Sequence, residues 1–92
     1  MTVNCQNLLW HEIVGLRAKI LESSDSTIHD IDGTIVFETK NTLFIRKGST
    51  VRQVSKRAAK TLQVRTSSCA CFIRGSALIG RPEDRIARLN NR

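Results

Sequence analysis

Short runs of apolar residues, several of them alternating with polar ones, are spread along most of the chain. Alternation with a period of two is typical of half-buried strands. Loops of two to seven residues join the runs after residue 34, and no crossover helix lies between them, which predicts an antiparallel barrel or sandwich of five to seven strands. A barrel is favoured in a small chain because it removes exposed sheet edges. The predicted strands cover residues 17–21, 34–37, 42–47, 51–54, 62–65, 71–74 and 77–79.

A short helix is predicted at each end of this barrel. Asn7 suits the N-cap of a helix over about residues 7–14, which Gly15 ends. Pro82 has the fixed φ favoured at the first position of a helix, and Glu83 and Asp84 suit the first turn of a helix over about residues 82–90. We therefore predict a mainly β fold in one domain, residues 1–92, with the barrel at about 16–80.

Charge is strongly segregated along the sequence. The chain has 92 residues, a formal net charge of +7 and a pI of about 10.2. Ten basic residues and no acidic one lie between Lys40 and Arg81, whereas five of the eight acidic residues lie in 22–38. A strong field of one sign attracts a polyanion, either a nucleic acid or an acidic membrane surface.

The membrane is the weaker of these two alternatives. No apolar run approaches the roughly 20 residues needed to span a bilayer. The first residues also lack the basic and apolar regions of a signal peptide. We therefore expect a cytoplasmic protein without a membrane partner. Its three cysteines, an odd number without a secretory signal, predict reduced thiols.

Cys69 and Cys71 are a close pair of candidate metal ligands. A structural zinc site needs four ligands, usually with paired Cys spacing, but Cys5, His11 and His29 lie in distant segments. The two histidines lack a neighbouring nucleophile or carboxylate motif that would make them catalytic bases. The sequence therefore predicts no metal site, no bound cofactor and no catalytic residue in this chain.

Aromatic residues are scarce, with one Trp, three Phe and no Tyr. Proteins that bind splayed single strands use rings as stacking platforms. The scarcity favours backbone and shape contacts with a folded RNA.

Most of the basic residues fall on successive predicted strands and their turns. Because no acids are interspersed among them, contact with RNA phosphates is favoured over a solvated face kept for solubility. Lys56, Arg57 and Lys60, in a predicted loop, are the leading phosphate contacts. Arg81 and Arg85 suit either RNA binding or, for the helix, intrahelical pairing. The predicted RNA-binding residues are Arg17, Lys19, Arg46, Lys47, Arg52, Lys56, Arg57, Lys60, Arg65, Arg81 and Arg85.

Three segments resemble a known family. They are residues 10–16 (Trp-His-Glu-Ile-Val-Gly-Leu), 33–43 (Gly-Thr-Ile-Val-Phe-Glu-Thr-Lys-Asn-Thr-Leu) and 80–86 (Gly-Arg-Pro-Glu-Asp-Arg-Ile). In this order they resemble the ribonuclease P protein component 1 family of archaea over about residues 8–89. Where many members have Val-Pro-Lys, this chain has Val54, Ser55 and Lys56, which keeps the charge and loses the proline.

The resemblance implies a twisted Sm-like or SH3-like antiparallel barrel with a helix at each end. It also implies an auxiliary protein subunit of ribonuclease P, the ribonucleoprotein that removes the 5′ leader of precursor tRNA. In that enzyme the RNA and its magnesium ions carry out the catalysis. The protein binds the RNA, assists recognition of precursor tRNA and pairs with a zinc-ribbon subunit.

A protein-partner interface is expected around the terminal helices. A helix with Leu8, Leu9 and Trp10 on its surface either docks on the barrel or lies partly in an interface, where Trp is a favoured anchor. The predicted interface residues are Leu8, Leu9, Trp10, Ile35, Phe37, Ile86 and Leu89.

Two other classes of function stay open. The first is an Sm-like homo-oligomeric RNA-binding ring outside ribonuclease P, which would form a hexamer or heptamer. The second is an autonomous nuclease or thiol enzyme, for which the sequence supplies no constellation of nucleophile, base and orienting group.

Overall fold

The computed structural model describes residues 8, 13–66, 69–81 and 83–85, which include one antiparallel sheet and the 3-10 turns Ser26–Ile28 and Gly75–Leu78. The strands are β1 (Arg17–Ser23), β2 (Asp32–Glu38), β3 (Thr42–Lys47), β4 (Thr50–Ser55), β5 (Ala59–Arg65) and β6 (Ala70–Ile73). Their order in the sheet is β4-β3-β2-β1-β5-β6. The mainly β, antiparallel fold is thus confirmed.

The strand predicted at 77–79 is wrong. Gly75–Leu78 form a 3-10 turn, and the N–H groups of Ala77 and Ile79 donate back to Arg74 and Ser76 instead of to a neighbouring strand. A Cβ on Gly75 would overlap the backbone carbonyl oxygens of Lys56, in the turn after β4, and of Ala59, the first residue of β5. The missing side chain therefore lets this segment lie directly against that turn and the start of β5.

A short connection between β4 and β5 forces the sheet to roll. These strands are consecutive in the chain but four positions apart in the sheet. In a flat sheet, that separation would place the two strands about 19 Å apart. The four residue steps from Ser55 to Ala59 reach at most about 14 Å. The sheet must therefore curl around one core. The rolled sheet confirms the predicted small barrel.

Side chains from all six strands form one apolar core inside the rolled sheet. In β1 the alternation places Ala18 and Ile20 inside and Arg17 and Lys19 outside. Each fully buried Leu, Ile or Val contributes about 1.5–3 kcal/mol relative to exposure. The core consists of Leu8, Ile13, Ala18, Ile20, Ile28, Ile35, Leu43, Ile45, Val54, Ala59, Leu62, Val64, Cys71 and Leu78.

The pairing of β2 with β3 shifts register between Ile35 and Phe37. Since Gly33 and Ile35 face the core, strict alternation would place Phe37 inside and Glu38 outside. An extra residue in one strand moves the following side chains to the other face. Phe37 is accordingly 58% exposed, and Glu38 is buried.

Glu38 is buried with two cations, and we call Glu38, Lys56 and Arg85 the buried ion cluster. Nη1 of Arg85 donates to Oε1 of Glu38 at 3.1 Å, and Nζ of Lys56 lies 3.7 Å from Oε2. None of the three side chains is more than 1% exposed. The cluster therefore joins the end of β2, the turn after β4 and the helical residues 83–85.

Backbone oxygens also hold Lys56 in place. Its Nζ donates to the carbonyl oxygens of Thr39 at 2.8 Å, Gly80 at 2.9 Å and Lys40 at 3.3 Å. Burial lowers the pKa of Lys56, and the charge of Glu38 opposes that effect. An ammonium has three donors, so these three carbonyls occupy all of them.

The predicted terminal helices fall largely outside the described residues. Leu8 has a 3-10 conformation and is fully buried, so it belongs to the core. Residues 83–85 are helical, and the N–H of Arg85 donates to the carbonyl of Arg81 at 2.9 Å. The helix bounds 7–14 and 82–90 stay predictions. Over the part of the chain that the structure describes, no helix is long and apolar enough to cross a membrane.

Replacing Glu38 with Gln should lower the free energy of unfolding by about 3–5 kcal/mol, because two buried cations lose their carboxylate. Urea denaturation followed by circular dichroism measures the change. Glu22→Gln, at an exposed position of β1, is the control and should change it by less than about 0.5 kcal/mol. Equal midpoints for the two variants would contradict a stabilising role of the cluster.

Candidate nucleic-acid interface

Four adjacent strands carry a row of mostly basic residues on the outer face of the sheet. Arg46 of β3 lies opposite Thr34 of β2. Thr34 lies opposite Arg17 of β1, and Arg17 lies opposite Arg65 of β5. The three arginines are exposed, and at about 4.8 Å per strand they span about 14 Å of surface. We call them the arginine row.

One end of the arginine row borders a cleft of about 250 Å³ between β1, β2 and β5, which we call the β1–β5 cleft. Lys19 lies opposite Asp32 on one side and Gln63 on the other. Three cations and an amide thus face one carboxylate, a composition that suits an anion. The lining residues are Arg17, Ala18, Lys19, Asp32, Gln63 and Arg65.

Asp32, the carboxylate of this cleft, is paired with Lys47. Its Oδ1 lies 2.9 Å from Nζ of Lys47. The hydrogen bond from Lys47 and then its charge lower the pKa of Asp32, and the charges of Lys19 and Arg17 act in the same direction. Asp32 is therefore ionised at neutral pH, and its strongest contact is with Lys47 of β3.

A second cleft, of about 310 Å³, brings Lys47 and Arg52 together with the loop that precedes β2. Nη2 of Arg52 donates to the carbonyl oxygen of Thr27 at 2.9 Å, which ties β4 to that loop. Asp32 lines this cleft as well as the first. The two clefts are therefore neighbours that share one carboxylate.

Nine of the eleven residues predicted to contact RNA are exposed. Arg17, Lys19 and Arg65 converge on the β1–β5 cleft, and Lys47 and Arg52 on the second cleft. The remaining four do not line either cleft. Contact of the nine with RNA stays a prediction. They are Arg17, Lys19, Arg46, Lys47, Arg52, Arg57, Lys60, Arg65 and Arg81.

Lys56 and Arg85 do not lie on the surface, which corrects the prediction for both. Lys56 is 0% exposed and Arg85 is 1% exposed, each held in the buried ion cluster. Their burial follows from the register shift in β2, which turns Glu38 inward and gives it a need for cations. Neither side chain is therefore available to an RNA phosphate at the surface.

Two residues beside the β1–β5 cleft were absent from the predicted set. Gln63 lines the cleft, and Phe72 of β6 lies opposite Gln63 and is exposed. The alternation of β5 places Gln63 on the same face as Arg65, so the sequence pattern could have identified Gln63 as a neighbour of the predicted RNA-binding residues. Phe72 could not be assigned because the sequence does not show which strand lies beside β5.

The structure corrects part of the predicted protein-partner interface. Leu8 and Ile35 are 0% exposed and belong to the core, so neither is available to a partner. Phe37 is exposed, and its ring centroid lies 5.7 Å from that of Phe44. The other predicted residues, Leu9, Trp10, Ile86 and Leu89, lie outside the described residues.

Cys71 is disulfide-bonded, which corrects the expectation of three reduced thiols. A count of cysteines does not show which sulfur atoms the fold brings together. Cys69 retains its thiol, with Sγ 3.8 Å from Sγ of Cys71 and 3.3 Å from Oγ1 of Thr66. Within the described ranges, no group of three or more His, Cys, Asp or Glu residues is placed to hold a metal ion.

The rolled sheet and its outer face define a small β-barrel protein with a cationic exterior. A family model described as ribonuclease P/MRP, subunit p29, matches residues 6–88. The chain belongs to this family. The match extends over all six strands, the arginine row and both clefts, and it confirms the resemblance found in the sequence.

Individual relatives agree with the family assignment. Ribonuclease P protein component 1 of Thermococcus onnurineus is 38% identical over 86 residues, which cover 94% of this chain and 67% of that protein. The protein of the same name from Methanococcus maripaludis is 35% identical over 86 residues, and the alignment covers 90% of each chain. The solved structure of Mth11, described as a homologue of human RNase P protein Rpp29, has a TM-score of 0.61 and 38% identity. The superposition covers 83% of this chain and 99% of the Mth11 chain.

Replacing Lys47 with Met should raise the pKa of Asp32 toward its ordinary value of 3.8, because Lys47 is the main cause of its lowering. Lys19→Met is the control and should raise it less. An NMR titration of the Asp32 side-chain carboxyl carbon measures both.

The same pair contributes stability above about pH 3.8 that is lost as the pH falls through the lowered folded-state pKa. Lys47→Met should therefore flatten the acid side of the stability profile. A larger pKa change with Lys19→Met would contradict the geometry.

Proposed function

We propose that this protein is an RNA-binding subunit of ribonuclease P, the ribonucleoprotein endonuclease that removes the 5′ leader from precursor tRNA. The observation that carries the proposal is the cationic outer face on a chain of the ribonuclease P/MRP subunit p29 family. Its relatives named ribonuclease P protein component 1 cover nearly all of this chain. Exposed cations supply affinity for RNA phosphates by releasing counterions.

Within that enzyme, this chain supplies binding and the RNA supplies the chemistry. We expect magnesium ions to be bound by the RNA, and no catalytic residue to come from this chain. Phosphate neutralisation along the arginine row and both clefts would stabilise the folded RNA. Recognition of precursor tRNA by this chain would then be indirect, through the RNA that it holds.

A second partner in this proposal is the zinc-ribbon protein subunit of the same enzyme, and we place the assembly in the cytoplasm. Phe37 supports a protein contact because its ring is 58% exposed and rests beside Phe44. Aromatic side chains, Phe among them, are enriched in the cores of protein interfaces.

The alternative function, an Sm-like ring outside ribonuclease P, gains no support from the relatives. Mass measurement in solution separates the two functions. A monomer, or a heterodimer with the zinc-ribbon subunit, fits the ribonuclease P subunit, and a hexamer or heptamer fits the ring.

Binding to ribonuclease P RNA should be tight and steeply dependent on salt. Neutralising about six phosphates gives a slope of log K against log[salt] near −5. Filter binding between about 50 and 200 mM salt measures it. A slope near zero would contradict the proposal.

Replacing Arg57 and Lys60 together with Glu should weaken RNA binding and reduce the salt slope by about 2, because each phosphate contact accounts for about 1. Both residues are exposed, so the unfolding midpoint should stay the same. Lys56→Glu is the contrasting variant, since it places a second carboxylate beside Glu38 and should unfold the protein. Unchanged RNA affinity in the double variant would show that Arg57 and Lys60 only face solvent.

A further inference from the structure

Arg17 and Arg65 form a like-charged pair on adjacent strands. They lie directly opposite each other and both are exposed. Like charges in this arrangement destabilise a sheet. Among the described residues no carboxylate is within ion-pair distance of either guanidinium, and Asp32 is bonded to Lys47. The fold therefore keeps two cations together, and a bound anion would offset their repulsion.

The β1–β5 cleft beside this pair has the size and the donors of a phosphate site. Its volume of about 250 Å³ is below the range of about 300–1,000 Å³ for pockets that enclose a whole small molecule. Each guanidinium presents a planar fork of N–H donors that matches two phosphate oxygens. Lys19 and Gln63 lie on the same face and add further donors. A phosphate group fits this cleft, with the rest of its nucleotide outside.

Phe72 offers a flat apolar surface next to the cleft. It lies opposite Gln63 and is 66% exposed, more than any other large apolar side chain that the structure describes. Arg65 pairs with Ala70, so Phe72 is its diagonal neighbour, about 7–8 Å away, a separation that long side chains bridge. A base stacked on Phe72 would therefore carry its phosphate toward the arginines.

We propose that the β1–β5 cleft and Phe72 together bind one unpaired nucleotide of an RNA strand. The phosphate lies between Arg17 and Arg65, and the base stacks on Phe72. This inference rests on the proposed RNA-binding function and narrows it. A folded RNA presents such a nucleotide in a loop, a bulge or an end, where bases are free to stack on a side chain.

The first test measures binding of a six-nucleotide oligouridylate by fluorescence anisotropy at fixed salt. Arg17→Gln, Arg65→Gln and Phe72→Ala should each weaken binding by about tenfold. Arg74→Gln removes an exposed charge and Val51→Ala an exposed apolar side chain, both away from the cleft lining. These two control variants should change the affinity by less than about twofold.

An abasic oligomer of the same length separates the base from the phosphate. Phe72→Ala should leave the binding of this oligomer unchanged, whereas Arg17→Gln should still weaken it. If Phe72→Ala weakens both oligomers equally, or neither, the base does not stack on Phe72 and the proposal is overturned.

The stability of the free protein gives an independent readout. Arg17→Gln should raise the midpoint of thermal unfolding by a few degrees, because it removes the repulsion with Arg65. A purely structural role for Arg17 predicts the opposite, a loss of stability together with the loss of binding. A lowered midpoint would therefore overturn the proposal.

Asp32→Asn provides a variant expected to gain affinity. It removes the carboxylate from the cleft lining and should strengthen oligouridylate binding by a few fold. Weaker binding by this variant would contradict an anion site.

The test also separates this inference from the proposed function. If the variants bind oligouridylate as well as the unmodified protein does, and ribonuclease P RNA is still bound with a steep salt dependence, the nucleotide site is overturned and the proposed function stands. If the unmodified protein binds neither RNA, both are overturned.

Discussion

The buried carboxylate of Glu38 is the constraint on which the rest of the structure depends. A charged group in a protein interior is costly unless it is paired and hydrogen-bonded. Arg85 and Lys56 flank Glu38, and backbone carbonyls from separate segments surround Lys56. The position of the bulge in β2, the path of the turn after β4 and the docking of residues 83–85 are therefore linked, because each supplies a part of the same cluster.

The strands could be predicted because one side of each faces the core, and β3 occupies residues 42–47 as expected. The register shift in β2 could not be predicted, since a bulge depends on the partner strand as well as on its own sequence. That shift reverses the expected positions of Phe37 and Glu38. The burial of Lys56 and Arg85 follows from it, which explains why charge alone assigned these two residues to the surface.

The sequence predicted the character of the candidate interface but not its geometry. A stretch without acids indicates a polyanion partner, and most of its cations are exposed. Which of them converge depends on the order of strands in the sheet. Arg17 and Arg65 are far apart in the sequence and become neighbours because the short turn after β4 rolls β5 against β1. Phe72 then comes to lie beside them through its pairing with β5.

Arg85 follows all six strands in the sequence, so the ribosome delivers it after the whole sheet has been synthesised. A chain that ended after β6 would therefore contain every strand of the sheet but not the guanidinium that contacts Glu38. Because a buried carboxylate that loses a cation is costly, the six strands by themselves are not a self-sufficient folding unit. Residues 83–85 belong to the barrel although they follow it in the sequence.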